Sequence, residues 1–329
     1  MNSKNPKRVV VIGGGTGSFV ILSGLKNYPV ELAAVVTVTD SGGSSGRLRS
    51  EFGFLPVGDI RQCLAALASE NKHDYIRQLL LYRFAKGRGL TGHNLGNLIL
   101  TALTEMTGSE PKAIEVASQI FRLRGEVLPV SLNKVDLVAS YEDGTQIIGE
   151  HQIDEPCHRG GKRLIKIATN KPAKIYTCVK QVLAQAEMVV LAPGDLYTSL
   201  LPNFIVKGVS EVLRQTKGSL VYIMNLMTRY AQTHGLTAAD HLQEIEKYVG
   251  QRIDKILVNQ TPIPSPILSL YEQEKAYPVI DDLGDDARVV RGDFLNRQLM
   301  QKPKGDQLHR ALIRHHSQKV ARKLISFLK

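Results

Sequence analysis

Tryptophan is absent from this 329-residue chain, and aromatic residues make up only 6% of it. No stretch interleaves aromatics with Lys and Arg as single-strand binders do, so nucleic acid is not an expected partner. Cysteine is nearly as sparse: Cys63, Cys157 and Cys178 are far apart, odd in number, and form neither a Cys-x-x-Cys pair nor a Cys/His metal spacing. That argues against a disulfide framework and a zinc module, and a reducing cytoplasm is the expected location. Long apolar runs are missing too. Val9 to Ile12 is cut at once by glycine, too short for a signal-peptide core or a membrane span, so a soluble chain without membrane partners is expected. No Gly-x-Ser-x-Gly elbow or His-Glu-x-x-His pair occurs, which leaves serine-hydrolase and zinc-enzyme chemistry without support. No spacing identifies a nucleophile or any other catalytic residue.

What is present describes a globular chain: 43% hydrophobic, 22% charged, with 28 glycines. It can bury one large core or two smaller ones, and length alone leaves the domain count open. The 42 Lys and Arg exceed the 31 Asp and Glu to give +11, which first points to an anionic partner. From Gln301 onward, however, eight cations (Lys302, Lys304, Arg310, Arg314, Lys319, Arg322, Lys323 and Lys329) face Asp306 alone, so this segment carries +7 and the rest only +4. Leu308, Leu312, Val320, Leu324 and Leu328 recur at helical spacing there. They predict an amphipathic helix or helix pair over 301–329 with a solvated basic face.

Strands and helices alternate along most of the chain. Arg8 to Ile12 is a β-branched run, stopped by Gly13-Gly14-Gly15-Thr16-Gly17 and followed by a helical pattern through Leu25; Leu32 to Thr39 is a second buried-type strand. This is a βαβ unit. Helices are expected over 59–68, 74–84, 97–106, 112–122, 173–185 and 203–214, and strands over 188–192, 220–224 and 255–259. Residues 135–150 break the rhythm as an antiparallel excursion, with Asp143-Gly144 supplying positive φ at a tight hairpin turn. Thr237 to Asp240 reads as a capping box, and 261–266 as a proline-rich boundary or rim loop.

Several loops at strand ends carry ligand chemistry. Gly13 to Gly17 opens a helix, where backbone N–H groups and the helix dipole favour an anion. Ser18 stands where a dinucleotide fingerprint needs Gly or Ala, and no Gly-Lys-Ser/Thr occurs, so neither NAD nor a P-loop nucleotide is favoured. Asp40 ends the second strand, followed by Ser41, Gly42, Gly43, Ser44, Ser45, Gly46, Arg47 and Arg49, donors for a ligand with several anionic or hydroxylated parts. Asp59 suits either a helix N-cap or the site, and His93 and Asn94 either face a ligand or cap and pack a helix. Gly194, Asp195, Tyr197, Thr198 and Ser199 follow a parallel strand and form a second candidate anion site. Asn225, just past the next strand, suits ligand binding or a turn equally.

Taken together, Val-Ile-Gly-Gly-Gly-Thr-Gly, Thr-Asp-Ser-Gly-Gly-Ser-Ser-Gly-Arg-Leu-Arg, Pro-Val-Gly-Asp-Ile-Arg, Gly-His-Asn-Leu-Gly-Asn, Ala-Pro-Gly-Asp-Leu-Tyr-Thr-Ser and Asn-Leu-Met-Thr resemble the YvcK branch of the CofD-like family, in the same order from about residue 8 to 317. The resemblance implies a Rossmann-like α/β fold, mostly parallel and flanked by helices, in one domain spanning 1–329. It implies a bacterial cytoplasmic gluconeogenesis factor linked to cell shape and cell-wall synthesis, binding UDP-sugars such as UDP-N-acetylglucosamine. Cell-wall synthesis proteins as partners and a homo-oligomeric state are expected with it. The sister branch is a magnesium-dependent phospholactyl transferase; by that analogy Asp40 and Asp59 become magnesium-associated carboxylates. Lys275-Ala276-Tyr277-Pro278 resembles the family's closing segment, so Tyr277 either contacts the ligand or packs a loop. Arg314 is retained from the family's Arg-His-Asp-Pro stretch, whose Asp and Pro are replaced here by His316 and Ser317. A further reading has the basic tail dock an acidic partner surface.

Overall fold

The computed structural model describes residues 6–69, 75–155, 162–299 and 311–328. The β-branched runs form one parallel sheet from β1 (Lys7–Gly13), β2 (Val30–Val36), β3 (Glu126–Pro129), β7 (Met188–Leu191), β8 (Ser219–Ile223), β9 (Lys255–Asn259) and β10 (Val289–Gly292). The order is β10-β9-β8-β7-β1-β2-β3. The chain therefore starts in the middle, builds outward through β2 and β3, and returns to the other side of β1 with β7. That reversal is the topological switch point of a doubly wound Rossmann-like sheet, and ligands of such sheets bind at the strand ends there.

Because helices cover both faces, the inner strands carry continuous apolar runs, such as Val9 to Ile12 and Met188 to Leu191, rather than alternating ones. Val10, Ile12, Val189 and Leu191 point to one core, shared with α8 (Thr177–Ala184), α9 (Val209–Gln215) and α10 (Ala238–Val249). Val9, Val11, Ala34 and Val190 point to the other, shared with α1 (Gly15–Leu25), α3 (Gly58–Leu67), α5 (Leu95–Thr107), α6 (Glu110–Ile120) and α12 (Ser317–Phe327). The remaining helices are α2 (Gly43–Phe52), α4 (Tyr75–Leu81), α7 (Glu150–Asp154) and α11 (Ser265–Gln273). No helix among the described residues is long and apolar enough to cross a membrane.

The excursion is larger than a hairpin. β4 (Leu137–Tyr141) and β5 (Gln146–Ile148) pair antiparallel, and β6 (Leu164–Thr169) adds a third strand on the other side of β4. Neither β6 nor β3 stood out in the sequence, since each is short and its partners are distant. At the turn only Gly144 has positive φ, +81°. Gly144 N–H donates to Tyr141 O and Tyr141 N–H to Thr145 O, so a type I turn closed by a glycine bulge replaces the two-residue turn expected from Asp143-Gly144.

Three further expectations are corrected. The loop after β7 winds into a π-helical turn, Leu196–Leu200, followed by a 3-10 turn, Leu201–Asn203, so the helix expected from 203 starts only at Val209. The proline-rich stretch leads into α11, with Pro266 in its first turn, where the missing N–H costs nothing. The basic tail is not one helical segment. Its residues 301–310, with Lys302, Lys304, Asp306, Leu308 and Arg310, lie outside the described residues, as does Lys329. After them Arg314–His315 forms β12, paired with β11 (Leu295–Asn296), and only then does α12 begin.

Candidate functional site

A cavity of about 790 Å³ opens at the switch point, lined by the loops after β1, β2, β7 and β8 and by parts of α7, α11 and β12. This is within the usual range for small-molecule sites. Four helical N-termini meet there: α1 after Gly14, α2 after Gly42, α3 after Val57 and the π-turn after Asp195. None is capped by the side chain of its own N-cap residue, and in α3 the first N–H, of Gly58, donates to Ser45 Oγ at 3.2 Å. Asn94, Ser109 and Thr237 cap α5, α6 and α10 with their side chains, whereas α8 and α11 also start without one. First turns of helices present N–H groups and a positive partial charge, and four such turns meet at the cavity.

The loop after β7 is held from behind by three amides. Asn225 Nδ2 donates to Gly194 O at 2.7 Å, and Asn203 Nδ2 donates to the carbonyls of Ser199 and Leu200 at 3.0 Å each. Gln232 Oε1 accepts the Tyr197 N–H at 3.1 Å, while its Nε2 donates to Thr198 Oγ1 at 2.9 Å and to Asp154 Oδ1 at 2.8 Å. Asp154 also takes a bidentate pair from Arg229, at 3.1 and 2.5 Å, and Asp195 lies 3.8 Å from the same guanidinium. Burial opposes the charge on Arg229, but Asp195 and Asp154 outweigh it and hold its pKa above the ordinary arginine value.

The second wall is the Ser-Gly-rich loop. Asp40 Oδ1 accepts the Gly42 N–H at 2.9 Å. Ser41 ties this loop to α7, donating its N–H to Glu150 Oε2 at 3.3 Å and accepting the His151 N–H on Oγ at 3.0 Å. Glu150 is half-buried, and desolvation with Asp40 and Asp154 nearby raises its pKa well above the usual 4.5. Asp59 is not the cap of α3, since Val57 holds that position; it sits in the first turn with its carboxylate against the backbone of Gly14 and Gly15.

Of the sequence candidates, Gly14, Gly15, Thr16, Gly17, Asp40, Gly42, Ser44, Asp59, Gly194, Asp195, Thr198, Ser199, Asn225 and Arg314 line the cavity. Gly13, Ser41, Gly43, Arg47, His93, Asn94, Tyr197 and Tyr277 are not among its lining residues. Asn94 caps α5, accepting the Asn97 N–H, and His93 is buried with Nδ1 3.2 Å from Ser44 Oγ. Burial and the nearby Arg47 lower the pKa of His93. Arg47 itself donates to Thr91 O, and Tyr197 packs into the core. Tyr277 lies outside the wall at 45% exposure, and its backbone exchanges hydrogen bonds with Thr228.

The sequence reading missed Arg61, Gln62, Arg83, Glu150, Asp154, Arg229, Tyr230, Lys275 and His315, all of which line the cavity. Seven carboxylates (Asp40, Asp59, Glu150, Asp154, Glu155, Asp195 and Glu274) face only five Lys and Arg (Arg61, Arg83, Arg229, Lys275 and Arg314). The cavity of this basic protein is formally acidic, so the overall +11 says nothing about its ligand. His315 is buried and desolvation lowers its pKa to about 4, which keeps its ring neutral at pH 7. Among the described residues no three His, Cys, Asp or Glu are placed to hold a metal together. Asp40 accepts the Gly42 N–H, and the Asp59 carboxylate lies against Gly14 and Gly15.

A doubly wound parallel sheet with a cleft at its switch point defines a Rossmann-like α/β protein, a class whose ligands bind at that place. The comparisons make this specific. The family model for CofD, 2-phospho-L-lactate transferase, matches residues 9–295. The chain is 44% identical over 278 residues to the gluconeogenesis factor of Halalkalibacterium halodurans, covering 84% of each protein. It is 40% identical over 325 residues to that of Bacillus subtilis, covering 98% of each. A crystal structure of a UPF0052-family protein from Bacillus halodurans matches with a TM-score of 0.87 at 38% identity, covering 98% of this chain and 100% of that one. The chain belongs to the CofD family and, within it, to the YvcK-like gluconeogenesis factors.

Proposed function

We propose that the cavity binds a nucleotide sugar of the UDP-N-acetylglucosamine type and that the protein acts as a binding factor in gluconeogenic growth and cell-wall metabolism. One observation carries this reading: four helical N-termini, those of α1, α2, α3 and the π-turn, converge on one cavity at the switch point. A diphosphate suits such a site, because backbone N–H groups hold it without needing the cationic excess that the cavity lacks. The diphosphate is assigned to the first turn of α1 and the π-turn, and the polar sugar groups to Asp40 and Asn225. Isothermal titration with UDP-N-acetylglucosamine tests this. Saturable heat and a raised melting temperature are expected; neither effect at millimolar ligand would sink the reading.

The family match supports a second reading, a CofD-like phospholactyl transfer onto a deazaflavin acceptor. Turnover of such an acceptor with magnesium supplied would favour it, and none is expected.

A further inference from the structure

We propose that Tyr230 is the surface on which the ligand's nucleobase stacks, with Lys275 as its partner at the cavity rim. This rests on the nucleotide-sugar reading and adds the part of the ligand that the glycine turns leave unread.

Tyr230 and Lys275 both line the cavity. The Lys275 ammonium lies 4.8 Å from the centre of the Tyr230 ring, and its Nζ donates to the Tyr230 hydroxyl at 3.4 Å. His234 lies nearly perpendicular to the same ring, with centroids 5.2 Å apart, and its Nδ1 lies 3.3 Å from the Lys275 carbonyl oxygen. His234 thus packs nearly perpendicular to the ring, while a flexible cation lies over one of its faces. A planar π-system can take that place by displacing the ammonium, and every nucleobase has such a face.

Backbone geometry is the second line of argument. Lys275 follows the C-terminus of α11 with φ of +55°, one of only two non-glycine residues with positive φ among those described. Glycine is the ordinary choice at this position of a helix end, because a side chain there is disfavoured. The lysine side chain that occupies it reaches the cavity rim and a ring that also lines the cavity. A residue kept in an unfavourable backbone state at a ligand cleft is accounted for when its side chain is used there.

The test is titration of the full chain with UDP-N-acetylglucosamine, UMP and N-acetylglucosamine 1-phosphate, each for wild type, Tyr230→Ala, Tyr230→Phe and Lys275→Gly, with melting curves alongside. Tyr230→Ala is expected to weaken both uridine ligands by about ten- to hundredfold, the equivalent of ~1–3 kcal/mol, while the base-free sugar phosphate keeps its affinity. Tyr230→Phe retains the ring and should bind as wild type. Lys275→Gly should melt no lower than wild type yet bind the uridine ligands more weakly. Equal losses on all three ligands, or no loss on the uridine ligands, would overturn the base-stacking assignment. A lower melting temperature with unchanged affinity in Lys275→Gly would overturn the lysine's part in it. Failure of the wild type to bind any of the three overturns the nucleotide-sugar reading itself, and the platform with it.

Discussion

Gly17 packs directly on the carbonyl of Pro193: a methyl group on Gly17 would fall 2.6 Å from that carbonyl carbon and nearer still to its oxygen. The two glycine-bearing turns of the cavity are therefore interlocked, one from β1 and the other from β7. Neither backbone can yield without moving its strand. Gly17→Ala is expected to lower stability by about 3 kcal/mol or more through overpacking and to abolish ligand binding. Urea unfolding with titration checks both; a variant of near wild-type stability would show that the turns are not locked together.

The pair Asp154 and Arg229 should behave as a largely buried ion pair, since their side chains are only 22% and 20% exposed. Removing one partner leaves the other's charge without its main bonds, so Asp154→Asn and Arg229→Met should each cost about 3 kcal/mol. The double variant should lose clearly less than the sum. A double-mutant cycle by chemical denaturation measures this coupling, and strict additivity would contradict it.

Glu150 predicts a pH dependence. Its folded-state pKa is raised by desolvation and by Asp40 and Asp154, so between the ordinary glutamate value and the raised one the unfolded state releases a proton that the folded state keeps. Stability contributed by the protonated group is present below pH 4.5 and is lost as pH rises through the folded pKa. Glu150→Gln removes that loss. The melting-temperature difference between variant and wild type should grow with pH from 5 upward, and a constant difference would contradict the assignment.

Thr237 offers a control away from the cavity. Its side chain accepts the Asp240 N–H while Asp240 Oδ2 accepts the Thr237 N–H at 3.0 Å, a reciprocal cap for α10. Thr237→Ala should cost about 1 kcal/mol and leave ligand affinity unchanged, as read by melting and titration.

Deleting the chain from residue 311 should unfold the protein rather than free a docking tail. Val320 and Leu324 are completely buried against the helices over β1, and their burial stabilises by about 1.5–3 kcal/mol each. A folded, cooperative truncated chain would contradict this. The helical spacing of Val320 and Leu324 is what puts the segment's cations on the outer face of α12 while its apolar face inserts into the core.

The sequence by itself determined the alternating architecture and the loops that matter. A βαβ unit with a five-residue glycine turn has few ways to fold, and small polar residues placed abruptly after apolar strands mark the ends where ligands bind. These are local signals, carried by spacing within a few residues. Only the tertiary structure decided which candidates share one cavity: it kept Asp195 and Arg314, turned Tyr197 into the core, and spent Asn94 on a helix cap. It also brought in Asp154, Arg229 and Tyr230, which no periodicity marks, because their role depends on contacts across more than seventy residues of chain or on where a rim closes. The same holds for charge. Its total is a property of composition, but the acidity of the cavity arises from how folding distributes it.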